Sequence, residues 1–177
     1  MNEIQNDSGS SQIEDLLKYF RSNDYIQAIN KAQKILKIIP NNHFIEKILA
    51  SSLKNIGKIS QASLIFKKII DSDRDDVEAM FGFANTLLAL KNYDDAIIYY
   101  KKIIKFTPDN FEAYNNLGIA LLAIQKYKES EFFLRESIKL KFNHASAHNN
   151  LGLVLCKMSK FKAAEYSYAL AIKMNQD

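Results

Sequence analysis

Several groups of side chains in this 177-residue sequence have types and spacings that could do chemistry. His144 and His148 stand four residues apart, a spacing that lets two imidazoles reach one metal ion from one helical face. The residues between them are Ala145, Ser146 and Ala147, so the Glu of a His-Glu-x-x-His pattern is missing and a structural role is the expectation. His43 reads as a helix-start residue. Asp71, Asp73, Asp75 and Asp76 have the acidic density of a calcium loop but lack its Gly and closing Glu. They read as an acidic turn before a helix, where carboxylates are favoured. Cys156 is the single cysteine, has no basic neighbour except Lys157 to activate it, and reads as a small, half-buried side chain. The pairs Lys67-Lys68 and Lys101-Lys102 read as solvated helix faces. No Gly-rich phosphate loop, Gly-x-Ser-x-Gly or Cys-x-x-Cys occurs. The expectation is therefore a chain that is not an enzyme and holds no cofactor or metal.

What must position these residues is a helical framework. Only 5 Gly and 2 Pro occur, too few for the tight turns of an all-β fold. Hydrophobic residues make up 47% and charged residues 25%, a globular composition. The net charge is +4, concentrated in residues 97–177, which hold 12 basic against 7 acidic side chains. That bias is too dilute for a nucleic-acid footprint, so no nucleic-acid partner is expected. The N-terminus MNEIQNDSGSS has neither a basic nor an apolar segment of a signal peptide. Apolar stretches such as Ile119 to Ile124 are far short of the ~20 residues that cross a bilayer. With one cysteine, these features point to a soluble, cytoplasmic chain without a membrane partner.

The sequence repeats itself. Ala113-Tyr-Asn-Asn-Leu-Gly-Ile-Ala-Leu121 returns as Ala147-His-Asn-Asn-Leu-Gly-Leu-Val-Leu155, an offset of 34. Carried along the chain, that offset gives five repeats at residues 9–42, 43–76, 77–110, 111–144 and 145–177, after a disordered tail at 1–8. A small residue recurs at Ala28, Ala62, Ala96, Ser130 and Ala164. A ring or Ile recurs three positions earlier, at Tyr25, Ile59, Tyr93, Tyr127 and Phe161. Within the fourth repeat, Tyr114, Leu117, Gly118 and Leu121 follow one helical stripe and Tyr127, Ser130, Leu134 and Ile138 a second. Two stripes split by a polar break predict an antiparallel helix pair.

The 34-residue period, the Leu-Gly pair, the small residue opening the second helix and the Pro closing two of the repeats (Pro40, Pro108) resemble the tetratricopeptide repeat. The resemblance implies an all-α, right-handed α-solenoid of antiparallel helix pairs. The first repeat departs from the pattern, with Asp15 in the Leu column and Leu16 in the Gly column, and reads as a cap or a degenerate repeat. The family's large packing column holds Gln12, Glu46, Met80, Tyr114 and His148 here.

The resemblance also implies a function: a non-enzymatic scaffold that binds a protein or peptide segment in its concave groove. Carried over by column, the groove residues are Lys47, Ser51, Lys54, Phe81, Asn85, Asn115, Asn116, Ile119, Asn149, Asn150 and Leu153. The Asn116 and Asn150 column resembles the asparagine ladder with which some members hold an extended backbone; the plain alternative is polar filler. The family's carboxylate clamp is not expected, because Phe81, Ser146 and Asn150 replace its cations. Two other roles stay open: the targeting region of a larger enzyme, such as a glycosyltransferase or sulfotransferase, and a self-associating adaptor. For the latter, Tyr168, Ile172 and Met174 are the expected homo-oligomer edge, left partly uncovered after the fifth repeat.

Overall fold

The computed structural model describes residues 2–174, with side chains from residue 11 onward. Among the described residues the chain is ten α-helices without a strand. They are α1 (Asn2–Arg21), α2 (Tyr25–Ile38), α3 (His43–Asn55), α4 (Ile59–Ser72), α5 (Val77–Ala89), α6 (Tyr93–Phe106), α7 (Phe111–Ala123), α8 (Tyr127–Leu140), α9 (Ala145–Lys157) and α10 (Phe161–Met174). Odd-numbered helices from α3 onward start at His43, Val77, Phe111 and Ala145, 34 residues apart. Helix α1 starts upstream of Gly9, so its span takes in residues 2–8, the stretch read from sequence as a tail. Among the described residues no helix is long and apolar enough to cross a membrane.

Local chemistry sets the helix ends. Asn42, Asp76 and Asn110 each accept the backbone N–H three residues on, at 3.1, 2.8 and 2.9 Å, and so start α3, α5 and α7. His144 occupies the same place before α9 and makes no such bond. Inside each repeat the turn is made by one residue in the left-handed region: Asn23, Gly57, Lys91, Gln125 and Ser159, again 34 apart. The flanking backbone bonds, such as Lys126 N to Leu121 O and Gln125 N to Leu122 O, close the preceding helix.

The chain forms two compact blocks divided after Leu90. In the N-terminal block each helix from α1 to α5 packs on the next, and α3 also touches α5. In the C-terminal block α6 to α10 do the same, and α7 touches α9. The small-residue column Ala28, Ala62, Ala96, Ser130 and Ala164 is buried throughout, as close helix approach requires. Ser130 turns its hydroxyl inward and donates to the Gly118 carbonyl at 2.7 Å. Gly118 itself has a packing reason to be Gly: a Cβ there would lie 2.6 Å from Leu134 Cγ.

Candidate functional site

In the N-terminal block the groove columns lie along α3 and α5. Lys47 is ion-paired there: its Nζ lies 3.1 Å from Asp76 and 2.5 Å from Glu78. Burial pulls the Lys47 pKa down, but the hydrogen bonds and charges of Glu78 and Asp76 outweigh it and the net shift is upward. Lys47 is thus a fixed, neutralised cation that ties α3 to the start of α5. Ser51, Lys54, Phe81 and Asn85 are half-buried on the same helices.

His43, Asp73 and Asp76 bring three ligand atoms within 4.8 Å of one another. The sequence reading had them as separate helix-start and turn residues. Each is engaged otherwise. His43 Nε2 lies 3.0 Å from Ser72 Oγ, Asp73 accepts from Asp75 N at 3.1 Å, and Asp76 holds Ala79 N and Lys47. The ammonium of Lys47 already supplies the positive charge that a metal would bring to Asp76.

The Asn columns of the C-terminal block are linked to each other. Asn150 Nδ2 donates to Asn115 Oδ1 at 3.0 Å, and Asn115 Nδ2 donates to Asn116 Oδ1 at 3.0 Å. Asn116 in turn hydrogen-bonds the hydroxyl of Tyr100, a fully buried ring whose pKa burial drives far upward. Asn115 is buried, Asn116 and Asn150 are half-buried, and Asn149 is exposed. The amides therefore form one internal chain, Tyr100–Asn116–Asn115–Asn150, and Asn149 is the member of the set that faces outward.

Two members of that chain, Asn115 and Asn150, line an open pocket of about 680 Å³ together with Ile119, Ala145, Ser146, Asn149, Tyr168, Ala171 and Ile172. Residues from two expected sites, the groove and the C-terminal edge, share this one pocket. Leu153, 40% exposed, lies on α9 outside its lining. At the edge Tyr168 and Met174 are half-buried and Ile172 is 61% exposed. The Tyr168 pKa is raised by burial and by a hydrogen bond with the half-buried Cys156.

The two histidines are structural. His148 is buried, and its Nε2 lies 2.9 Å from the Phe142 carbonyl, which can only accept, so that nitrogen carries the proton. The His144 ring meets Phe111 edge-on at 4.9 Å. Burial, then Lys141, lowers the His144 pKa.

One exposed apolar column lies outside the groove and edge residues expected from sequence. Leu64 on α4 is 72% exposed, and its column continues in the C-terminal block as Ile98, Phe132 and Tyr166, at 51%, 56% and 67%. The signal was available, since large apolar residues recur at a 34-residue offset outside both core stripes. Apolar recurrence alone, however, reads as core.

Comparison with known proteins fits this architecture. A tetratricopeptide repeat model matches residues 111–144, the whole fourth repeat, and a TPR repeat model matches residues 84–125. The chain contains tetratricopeptide repeats, matched over residues 84–144. No curated protein matches the sequence. Among solved structures it is similar to MamA 41-end from Desulfovibrio magneticus RS-1, with TM-score 0.85, 16% identity and 96% of each chain covered. It is similar to the MamA RS-1 ArsTM double mutant at TM-score 0.84 and 16% identity, again over 96% of each chain. A further MamA crystal structure matches with TM-score 0.78 and 21% identity, over 90% of this chain and 93% of the other. At such identities the likeness shows the fold, the all-α solenoid of antiparallel helix pairs. The tetratricopeptide repeats and this fold support a protein-interaction scaffold.

Proposed function

We propose that this tetratricopeptide repeat protein is a non-enzymatic, cytoplasmic scaffold that holds a partner protein segment on the odd-helix face of its C-terminal block. The observation that carries the reading is the open pocket between α7, α9 and α10, apolar at Ile119, Tyr168 and Ile172 and polar at Asn149 and Asn150. Such a mixture of apolar walls and a few placed amides suits a peptide, with the amides fixing its orientation. The internal amide chain leaves Asn149 as the main polar contact for a partner segment, with Asn115 and Asn116 holding Asn150 in place. Leu153 extends the apolar side along α9. In the N-terminal block Ser51, Lys54, Phe81 and Asn85 offer a second, separate stretch of contact surface, and Lys47 serves it as a braced scaffold residue.

The test is a peptide selection from a displayed random library, followed by calorimetry on the selected sequences. Asn149→Ala is expected to weaken binding by about 0.5–1.5 kcal/mol, the net value of a typical hydrogen bond. Leu153→Glu is expected to weaken it at least as much, with circular dichroism unchanged. Selected peptides that bind both variants as tightly as the parent would place the contact elsewhere.

A further inference from the structure

We propose that the outer face of α9 and α10 binds an amphipathic α-helix of a partner protein, in the register in which α9 lies on α8, with acidic residues flanking its apolar stripe. The inference rests on the scaffold reading above and names the partner chemistry at the end of the same pocket.

The chain contains its own template for this contact. In the fourth repeat, Leu134 of α8 forms one buried cluster with Leu151, Val154 and Leu155 of α9, and Tyr127 and Ile138 pack against it. Asn115 of α7 accepts the Asn150 amide from α9. Thirty-four residues on, the same columns hold Phe161, Tyr168, Ile172 and Asn149. Each is more exposed than its counterpart. Leu134 is fully buried where Tyr168 is half-buried, and Asn115 is buried where Asn149 is exposed. Tyr127 and Ile138 are half-buried, whereas Phe161 is 66% and Ile172 61% exposed. Among the described residues no helix covers this set. It repeats the seat on which α9 rests, so its matching occupant is a helix carrying a small residue, then an amide three positions on, then aliphatic residues at four, seven and eight. In α9 those are Ala147, Asn150, Leu151, Val154 and Leu155.

Charge selects the partner over a second copy. From Ala145 to Met174 the chain carries Lys157, Lys162 and Lys173 against Glu165 alone, with Lys160 already paired to Glu131 at 2.7 Å. Two such faces set against each other would bring lysines together, whereas an acidic helix would be attracted. The N-terminal end of another copy is no better. On α1 the columns that other odd helices turn toward the preceding repeat hold the exposed Ser11, Asp15 and Lys18, with no apolar stripe to offer.

The experiment uses a fluorescent, hydrocarbon-stapled peptide of residues 144–158, which fixes the helix, and the intact protein. Anisotropy should show saturable binding, weakened at least tenfold by Ile172→Glu or Phe161→Glu in the protein and by Leu151→Glu in the peptide. Both protein positions are well exposed, so circular dichroism should report unchanged folding. A peptide carrying Ser146→Glu and Lys157→Glu should bind several-fold more tightly at low salt. Selected peptides that still bind when the stapled helix does not would separate a failure here from a failure of the peptide contact above. Absence of saturable binding would overturn the proposal, as would binding indifferent to both edge variants. A dimer in sedimentation equilibrium that Ile172→Glu dissolves would overturn it in favour of a second copy.

Discussion

Helices α1 and α10 each present a face that no described helix covers, and the two faces are built from opposite chemistry. On α1 three of the columns buried in the other odd helices hold Ser11, Asp15 and Lys18, all exposed. Their counterparts on α9 are Ala147, Leu151 and Val154, all buried. On α10 the contact columns stay apolar, with Phe161, Tyr168 and Ile172. Stacking alone buries only what lies between repeats, so a face without a described neighbour must be made compatible with its surroundings. Here α1 meets that demand with charge, including an ion pair from Asp15 to Lys31 at 2.8 Å. The α10 face retains the composition of an interface.

The largest effect should separate an interior position from its edge counterpart. Leu134→Ala removes a fully buried side chain and should cost about 2–5 kcal/mol in urea unfolding. Ile172→Ala on the exposed edge should stay within about 0.5 kcal/mol of the parent. Equal costs would mean that the edge is as well packed as the interior.

The paired glycines sharpen the same contrast. An added Cβ at Gly118 meets Leu134 Cγ at 2.6 Å, and one at Gly152 meets Tyr168 Cε1 at 2.7 Å. Leu134 is enclosed, so Gly118→Ala should overpack the helix pair by about 1–3 kcal/mol. The Tyr168 ring borders open space and can swing aside. Gly152→Ala should therefore be close to neutral, the helix-propensity gain of Ala offsetting the shift.

Much of this was legible in the sequence, for a physical reason. The 34-residue period places each residue type in one repeated environment, so five weak helical signals reinforce each other at columns such as Ala28 to Ala164. The left-handed turn column was legible only as polar breaks, because just Gly57 among its five members advertises positive φ. The site was harder to read. Column logic gives Asn115 and Asn149 the same role, yet one is buried beneath α9 and the other is exposed. What lies over a residue is a property of the next repeat, which its own column does not encode. For the same reason Lys47 looked like a groove cation, although Glu78 of the following repeat and Asp76 at the junction hold it.

A smaller effect is expected at the start of α9. Asn42, Asp76 and Asn110 cap their helices, whereas His144 does not. His144→Asn should gain about 0.5–1 kcal/mol by supplying the missing bond. It should also flatten the pH dependence. The His144 pKa is lowered by folding, so the unfolded chain takes the proton first and stability falls as pH drops through the ordinary histidine range near 6.5. Thermal melts between pH 7.5 and 5.5 should show that decline in the parent and less of it in the variant. The smallest effect on stability is expected from the double change Asp15→Leu, Lys18→Ala, which gives α1 the apolar columns of the other odd helices. Its melting temperature should match the parent's, while sedimentation velocity should reveal concentration-dependent association that the parent lacks. No new association would mean that the charges of α1 do not guard that face.

The most direct measurement is a nitrogen–proton NMR titration of the intact protein with the stapled peptide of residues 144–158. The account predicts shifts concentrated at Asn149, Tyr168, Ala171 and Ile172 and along α10, with the signals of α1 to α5 unmoved. Shifts centred on α1, or on the outward column Ile98, Phe132 and Tyr166, or none at saturating peptide, would contradict it.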